Sequence, residues 1–284
     1  MYICLNSATI GVKADLRRSI DLASRHNFPG VDVSIVEIAD LVDEMGKDST
    51  QSLFDDAGVR PGAWGFPVNF RLDEGTWEEG MAALPRLAQA AQSLKLNRCY
   101  TYIIPGHDEL TFEENFDLHA NRLQPAAQIL ADHGIRFGLE WVGTKEFRER
   151  YKYQFIHTID GMSELNSAIG TPNMGYLVDI FHVENSYATA DDVRKLSKEQ
   201  VVYVHVNDGE AGVAVDERKD NIRDLPGYTK ELDLTGFLHA LRDIGYDGPV
   251  VAEPFNQRLR DLPDEEAVAE ISTAMHKMWE AAAL

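Results

Sequence analysis

Short apolar runs alternate with longer amphipathic stretches about eight times along this chain. The runs are Ile3–Ser7, Gly30–Ser34, Arg60–Gly65, Arg98–Ile103, Arg136–Trp141, Met174–Asp179, Val201–Asn207 and Val250–Glu253. Their length and β-branched or aromatic content predict strands. Between them, apolar residues recur at helical spacing, as in Leu16, Ile20 and Ala23, then Phe116, Leu123, Ala127 and Leu130, then Val268, Ile271, Met275 and Met278. Thr111 to Glu114 reads as a capping box, and Asp132-His133-Gly134 as a helix end. Pro85 and Pro125 are expected to kink or restart their helices. Strand–helix alternation implies a parallel sheet, and eight repeats favour closure into a single (β/α)₈ TIM barrel over an open sheet. No Gly-x-Gly-x-x-Gly follows the first strand, which weakens a dinucleotide-binding alternative. At 284 residues, one barrel domain spanning 1–284 is the simplest account.

Composition narrows the function. The formal net charge is −20, from 47 acids and 27 bases, which argues against a partner whose phosphates must be neutralised, such as nucleic acid. No apolar run reaches membrane-spanning length and the start lacks signal-peptide character, so the expectation is a cytoplasmic protein with no membrane association. Cys4 and Cys99 both lie in strand-like runs and read as buried thiols rather than a disulfide or a zinc site.

In a barrel of this kind the chemistry sits at the C-terminal ends of the strands. Four late strands end on side chains that bind metals. Alternation puts Phe137, Leu139 and Trp141 on the helix side and Glu140 on the other face. The same logic turns Asp179 inward, opposite Tyr176 and Val178, and turns His205 inward, opposite Val202, Val204 and Val206. Glu253 shares the face of Val251. Three carboxylates converging with one imidazole repel one another unless a cation neutralises them. Glu140, Asp179, His205 and Glu253 are therefore expected to hold one divalent metal. Mn²⁺ is the first choice for so oxygen-rich a set, with Mg²⁺, Co²⁺ or Zn²⁺ as alternatives. His182 and Arg223 are candidates for substrate oxygens, and Asp208 for support of His205. Lys145, Arg148, Arg150 and Lys152 form a basic stretch that either faces solvent or covers the site and meets an anionic group.

Five segments carry a family resemblance: Gly138-Leu139-Glu140-Trp141-Val142-Gly143, Val178-Asp179-Ile180-Phe181-His182, Val204-His205-Val206-Asn207-Asp208, Arg223-Asp224-Leu225-Pro226-Gly227 and Val251-Ala252-Glu253-Pro254-Phe255. Together with the start, Cys4 to Thr9, they resemble the xylose isomerase-like barrels, above all inosose isomerases and then D-tagatose 3-epimerase-type enzymes. The resemblance spans nearly the whole chain. It implies metal binding by Glu140, Asp179, His205 and Glu253, an acid–base pair of Glu140 and Glu253, and substrate contacts from His182 and Arg223. Glu146 falls where ketose epimerases carry a further substrate-binding Glu, a feature that inosose-type members lack. The loop Pro226-Gly227-Tyr228-Thr229-Lys230, which borders the expected site, departs from the family's usual continuation.

The expected reaction is isomerisation or epimerisation of a ketose, inosose or related polyhydroxy carbonyl compound, by proton transfer through an enediolate. The alternative on the same site is a dehydratase, which eliminates water from such a substrate. A DNA-repair endonuclease shares the superfamily but needs a site richer in His, and here only His182, His205 and the outlying His107 qualify. A non-catalytic sugar-binding barrel keeps the fold without the turnover. The partner is a small carbohydrate or cyclitol and, by analogy, a second copy of the chain in a homodimer.

Overall fold

The computed structural model describes residues 1–284. Its strands are β1 (Tyr2–Leu5), β2 (Gly30–Val31), β3 (Arg60–Pro61), β4 (Trp64–Gly65), β5 (Arg98–Ile103), β6 (Gly106–His107), β7 (Arg136–Trp141), β8 (Tyr153–Gln154), β9 (Met174–Asp179), β10 (Val201–Val206) and β11 (Pro249–Ala252). Nine of them form one parallel sheet in the order β3-β2-β1-β11-β10-β9-β7-β5-β4. Its two edges belong to a single interrupted strand. Arg60 pairs with Gly30 on one side, and Trp64 pairs with Cys99 on the other. Residues 60–65 thus close the sheet into a (β/α)₈ barrel. The two remaining strands, β6 and β8, make a small antiparallel ribbon.

Helices follow the strands and bury their apolar stripes against the barrel. Three predicted strands match without change, Arg98–Ile103, Arg136–Trp141 and Met174–Asp179. Gly30–Ser34 shortens to two residues because Ser34 becomes the N-cap of the helix Ile35–Met45. The capping box at Thr111 is present. Neither internal proline restarts its helix: Glu74–Ser93 runs through Pro85, and Phe112–Asp132 through Pro125. Both lie on the more solvated side, Pro85 exposed and Pro125 half-buried, where water can take up the carbonyl that a proline frees.

The barrel interior is small and partly polar. Cys4, Ala63, Leu177, Tyr203 and Val251 pack together inside it, with Tyr2 and Tyr100 against them. Alternation holds on β7 and β9 but breaks on β10. There the register against β9 shifts between Val201 and Tyr203, a bulge that leaves Val202 as the extra residue. Val202 consequently turns inward, not outward as alternation predicts. It fills the space above two glycines: a Cβ added at Gly138 would lie 2.9 Å from Val202 Cβ, and one at Gly175 would lie 2.7 Å from its Cγ2. Below it, Arg98 donates to the Val202 carbonyl at 2.7 Å. The bulge restores the phase so that His205 still faces the axis.

This packing has a measurable consequence. Gly138→Ala overfills the interior, and such changes cost about 1–3 kcal/mol. Thermal unfolding should show a Tm several degrees below wild type, with the far-ultraviolet circular dichroism spectrum unchanged.

Candidate metal centre and active site

Glu140 is the fifth residue of β7, Asp179 ends β9, His205 lies near the end of β10, and Glu253 follows β11. Parallel register brings them to one mouth, since Asp179 pairs with His205 and His205 with Val251. One ligand atom from each of the four lies within 4.8 Å of all the others. His205 Nδ1 is 3.5 Å from Glu140 Oε1, 3.4 Å from Glu253 Oε2 and 3.8 Å from Asp179 Oδ2. Glu140, Asp179 and His205 are buried and Glu253 half-buried. Glu140 Oε1 and His205 Nδ1 have no hydrogen-bond partner in the protein. Orphaned polar atoms facing each other in a buried pocket, with three carboxylates to one imidazole, fit a divalent cation.

The electrostatics bear the marks of that crowding. Burial, together with Glu253 and Asp179, pushes the Glu140 carboxyl up to about 8. Burial opposes a charge on His205, but Glu253 and Glu140 overcome it and hold the imidazole protonated well above its usual range. Burial also opposes a charge on Asp179, yet Arg223 above all outweighs it and holds the group down at about 2.

Asp179 is the most firmly held member of the cluster. It caps the helix Ile180–Asn185, accepting from the Phe181 N–H at 2.8 Å. It also accepts from Asn207 Nδ2 at 3.0 Å and from Arg223 Nη1 at 2.7 Å. Sequence reasoning passed over Asn207. Its signal was its place two residues after His205, on the same inward face. Asp208 does not support His205. Its carboxylate turns away and accepts from the N–H groups of Thr229, Lys230, Glu231 and Leu232 at 2.8–3.1 Å. It thereby clamps the far end of the loop that carries Arg223. No alternation rule reaches this contact, because both partners lie beyond the strand.

Arg223 and His182 reach the cluster. Arg223 is 3% exposed and donates to Asp179, to Glu253 Oε2 at 2.9 Å and to Asp220 Oδ1 at 3.1 Å. Phe181 and Phe255 flank its guanidinium. His182 Nδ1 accepts from the Gly143 N–H at 3.2 Å, so the ring proton of the neutral form sits on Nε2. Burial and the neighbouring Arg223 lower the His182 pKa and keep it neutral. Nε2–H then points toward Asp220 Oδ1 at 3.6 Å and Glu140 Oε1 at 4.0 Å. The 3.2 Å approach of Arg223 Nη2 to this nitrogen is a contact between two donors.

Other expected residues sit differently. Glu146 lies on the short helix Lys145–Arg148, where Arg150 takes its Oε1 and its Oε2 is buried without a partner. The basic stretch is occupied by the protein itself. Lys145 pairs with Asp216 at 2.9 Å, Arg148 donates to the Gly143 carbonyl at 2.8 Å, and Arg150 pairs with Glu146. His107 caps a turn, accepting from the Glu109 and Leu110 N–H groups, and stands outside the cluster.

With this fold and this mouth, the chain belongs to the xylose isomerase-like TIM barrel family, whose model matches residues 20–278. An inosose isomerase of Halalkalibacterium halodurans is 21% identical over 270 residues, which cover 94% of this chain and 93% of the relative. A 3-dehydroshikimate dehydratase of Pseudomonas putida is 26% identical over 149 residues, 50% of this chain but 23% of that protein. Among solved structures, a xylose isomerase domain protein from Alicyclobacillus acidocaldarius matches with a TM-score of 0.88 and 28% identity over 100% of both chains. The zinc-bound IolI protein matches at 0.78 and 19% identity, covering 99% of both chains. A D-psicose 3-epimerase solved with D-fructose matches at 0.75 and 15% identity, also covering 99% of both chains. The last two likenesses are of fold. No helix of this chain is long and apolar enough to cross a membrane.

Two outcomes follow for the purified protein. Inductively coupled plasma mass spectrometry should find about one divalent metal per chain after incubation with Mn²⁺ or Zn²⁺, and none in Glu253→Ala. Binding must also displace the protons that Glu140 and His205 hold more tightly than usual. Apparent affinity should therefore weaken as pH falls below about 8, with protons released on binding, as titration calorimetry in buffers of different ionisation enthalpy would show.

Proposed function

We propose that this protein is a divalent-metal-dependent isomerase or epimerase of a ketose, inosose or related polyhydroxy carbonyl compound. The observation that carries this reading is the position of two glutamates. Glu140 and Glu253 come from strands on opposite sides of β9 and β10, yet each reaches within 3.5 Å of the same nitrogen of His205. Two carboxylates facing one small volume can remove a proton from one carbon and return a proton at the other face or at a neighbouring carbon. Return on the opposite face inverts the centre. Return at the neighbouring carbon moves the carbonyl.

Glu140, Asp179, His205 and Glu253 would hold the metal, with Mn²⁺ the first choice and Zn²⁺ the alternative suggested by the IolI protein. When bound, such a cation supplies Lewis acidity that makes a hydrogen next to a carbonyl easier to remove. The surrounding side chains bind and orient. His182, neutral and with its proton on Nε2, donates to a substrate oxygen without adding charge. Arg223 would reach a second oxygen by exchanging one of its bonds to Glu253 or Asp220, and its aromatic flanks keep its plane fixed. Glu146 Oε2, buried and unpaired, offers an acceptor for a hydroxyl. Of the two glutamates, Glu253 is half-buried and Glu140 buried. The substrate is a small carbohydrate or cyclitol, in keeping with the inosose isomerase and D-psicose 3-epimerase relatives.

The partial match to a 3-dehydroshikimate dehydratase favours one second reading, a lyase that removes water after the same proton abstraction. Product mass separates the two: unchanged mass marks an isomerase, and loss of water a lyase.

The test uses the metal-loaded protein in deuterated water with inososes and ketoses. Wild type should place deuterium on carbon next to the carbonyl. Glu140→Gln and Glu253→Gln should each lower that rate by about 10²–10⁴-fold, the usual worth of a positioned acid or base. Full exchange in either variant would remove that residue from the acid–base pair.

A further inference from the structure

A metal-binding imidazole is ordinarily held by a hydrogen bond from its other nitrogen to a carboxylate, carbonyl or water. His205 lacks that support from the protein: its Nδ1 faces the carboxylates, and its Nε2 is buried with no protein partner. Within the protein its ring plane is held by packing, and the packing is specific. The Tyr203 ring meets it edge to face, with centroids 5.0 Å apart at 72°. Tyr100 meets it at 6.2 Å and 78°. The two tyrosines are themselves stacked at 4.1 Å and 8°.

That stack is pinned from below by one carboxylate. Asp32, just past β2, accepts from the Tyr203 hydroxyl and from Asn6 Nδ2 at 3.1 Å. The same Asn6 nitrogen donates to the Tyr100 hydroxyl at 3.1 Å. The other oxygen of Asp32 accepts from the Ala63 N–H at 2.8 Å and from Cys4 Sγ at 3.4 Å. Groups from three strand regions, those of β1, of residues 60–65 and of β10, thus meet at Asp32, and Tyr100 of β5 joins them through Asn6. Gly62 leaves the space for it, since a Cβ there would lie 2.4 Å from Asp32 Oδ1. An acid inside a barrel is costly unless its acceptors are filled. Asp32 stands outside the four-residue cluster, and a purely structural interior would be served by an apolar residue.

We propose that Asp32 is a positioning residue that acts through Tyr203 and Tyr100 to fix the plane of His205 at the metal centre. This rests on the reading of Glu140, Asp179, His205 and Glu253 as metal ligands. The pinned stack sets the direction of the Nδ1 lone pair. Loss of either end of the Asp32–Tyr203 hydrogen bond frees the stack to slide, and the imidazole with it.

The experiment measures Zn²⁺ affinity of the full chain by competition with a chromophoric chelator, together with the visible absorption of the Co²⁺-loaded protein, which reports ligand geometry. Asp32→Asn and Tyr203→Phe keep the shapes of the side chains. Each should weaken Zn²⁺ binding by about 10–100-fold and shift the Co²⁺ bands. The double variant should be no weaker than the worse single one, because both break the same device. Leu22→Ala, a core truncation on the helix Leu16–Arg25, should lower Tm yet leave affinity and spectrum at wild-type values. Wild-type affinity and bands in both Asp32→Asn and Tyr203→Phe overturn the proposal while leaving the metal centre intact. Equal loss in Leu22→Ala overturns it too, since stability alone would then account for the effect. A wild-type chain that takes up no metal overturns the ligand reading and this one together.

Discussion

Three carboxylates crowded into a buried pocket repel one another and resist losing water, and much of the barrel's mouth is arranged around that cost. Asp179 is met by the Phe181 N–H, by Asn207 and by Arg223. Glu253 shares the same guanidinium. Burial, with Glu253 and Asp179 beside it, raises the Glu140 carboxyl to about 8, and Glu253 and Glu140 raise His205 in spite of its burial. A divalent cation would replace the protons these groups hold and satisfy the orphaned atoms in one step.

Acids outside the four-residue cluster tie down loops of the mouth and the interior. Asp208 collects four backbone N–H groups from Thr229 to Leu232 and so fixes the return of the loop bearing Arg223. Asp216 joins Lys145 and Tyr187, which ties that loop to the segment after β7. Asp32 organises the interior beneath His205. A net charge of −20 therefore says little about the site itself, because many of its acids have local partners.

The interior shows how a barrel accommodates such a mouth. Small residues at Gly138 and Gly175 admit the bulged Val202, and the bulge restores the phase that brings His205 to the axis. Removing the bulge in imagination, while keeping the rest of β10, turns His205 toward the helices. A two-residue period leaves no intermediate choice.

The sequence by itself determined the repeat of strand and helix, and hence the barrel. It also determined the strands β5, β7 and β9, because hydrophobic alternation is a local property written into consecutive residues. For the same reason Glu140 and Asp179 were legible as inward-facing, and His205 too, though by a rule that β10 obeys only through its bulge. Tertiary structure alone decided what depends on partners distant along the chain. Residues 60–65 split into two edges that close the sheet, and Val202 turned inward where two glycines left room. Asp208 found a loop two dozen residues away instead of His205, and Asn207 took the supporting role beside Asp179. Three of the four basic residues after β7 found partners in Asp216, Glu146 and a backbone carbonyl. A hydrogen bond or ion pair goes to whichever group the folded chain brings within about 3 Å, and sequence spacing carries no record of that distance.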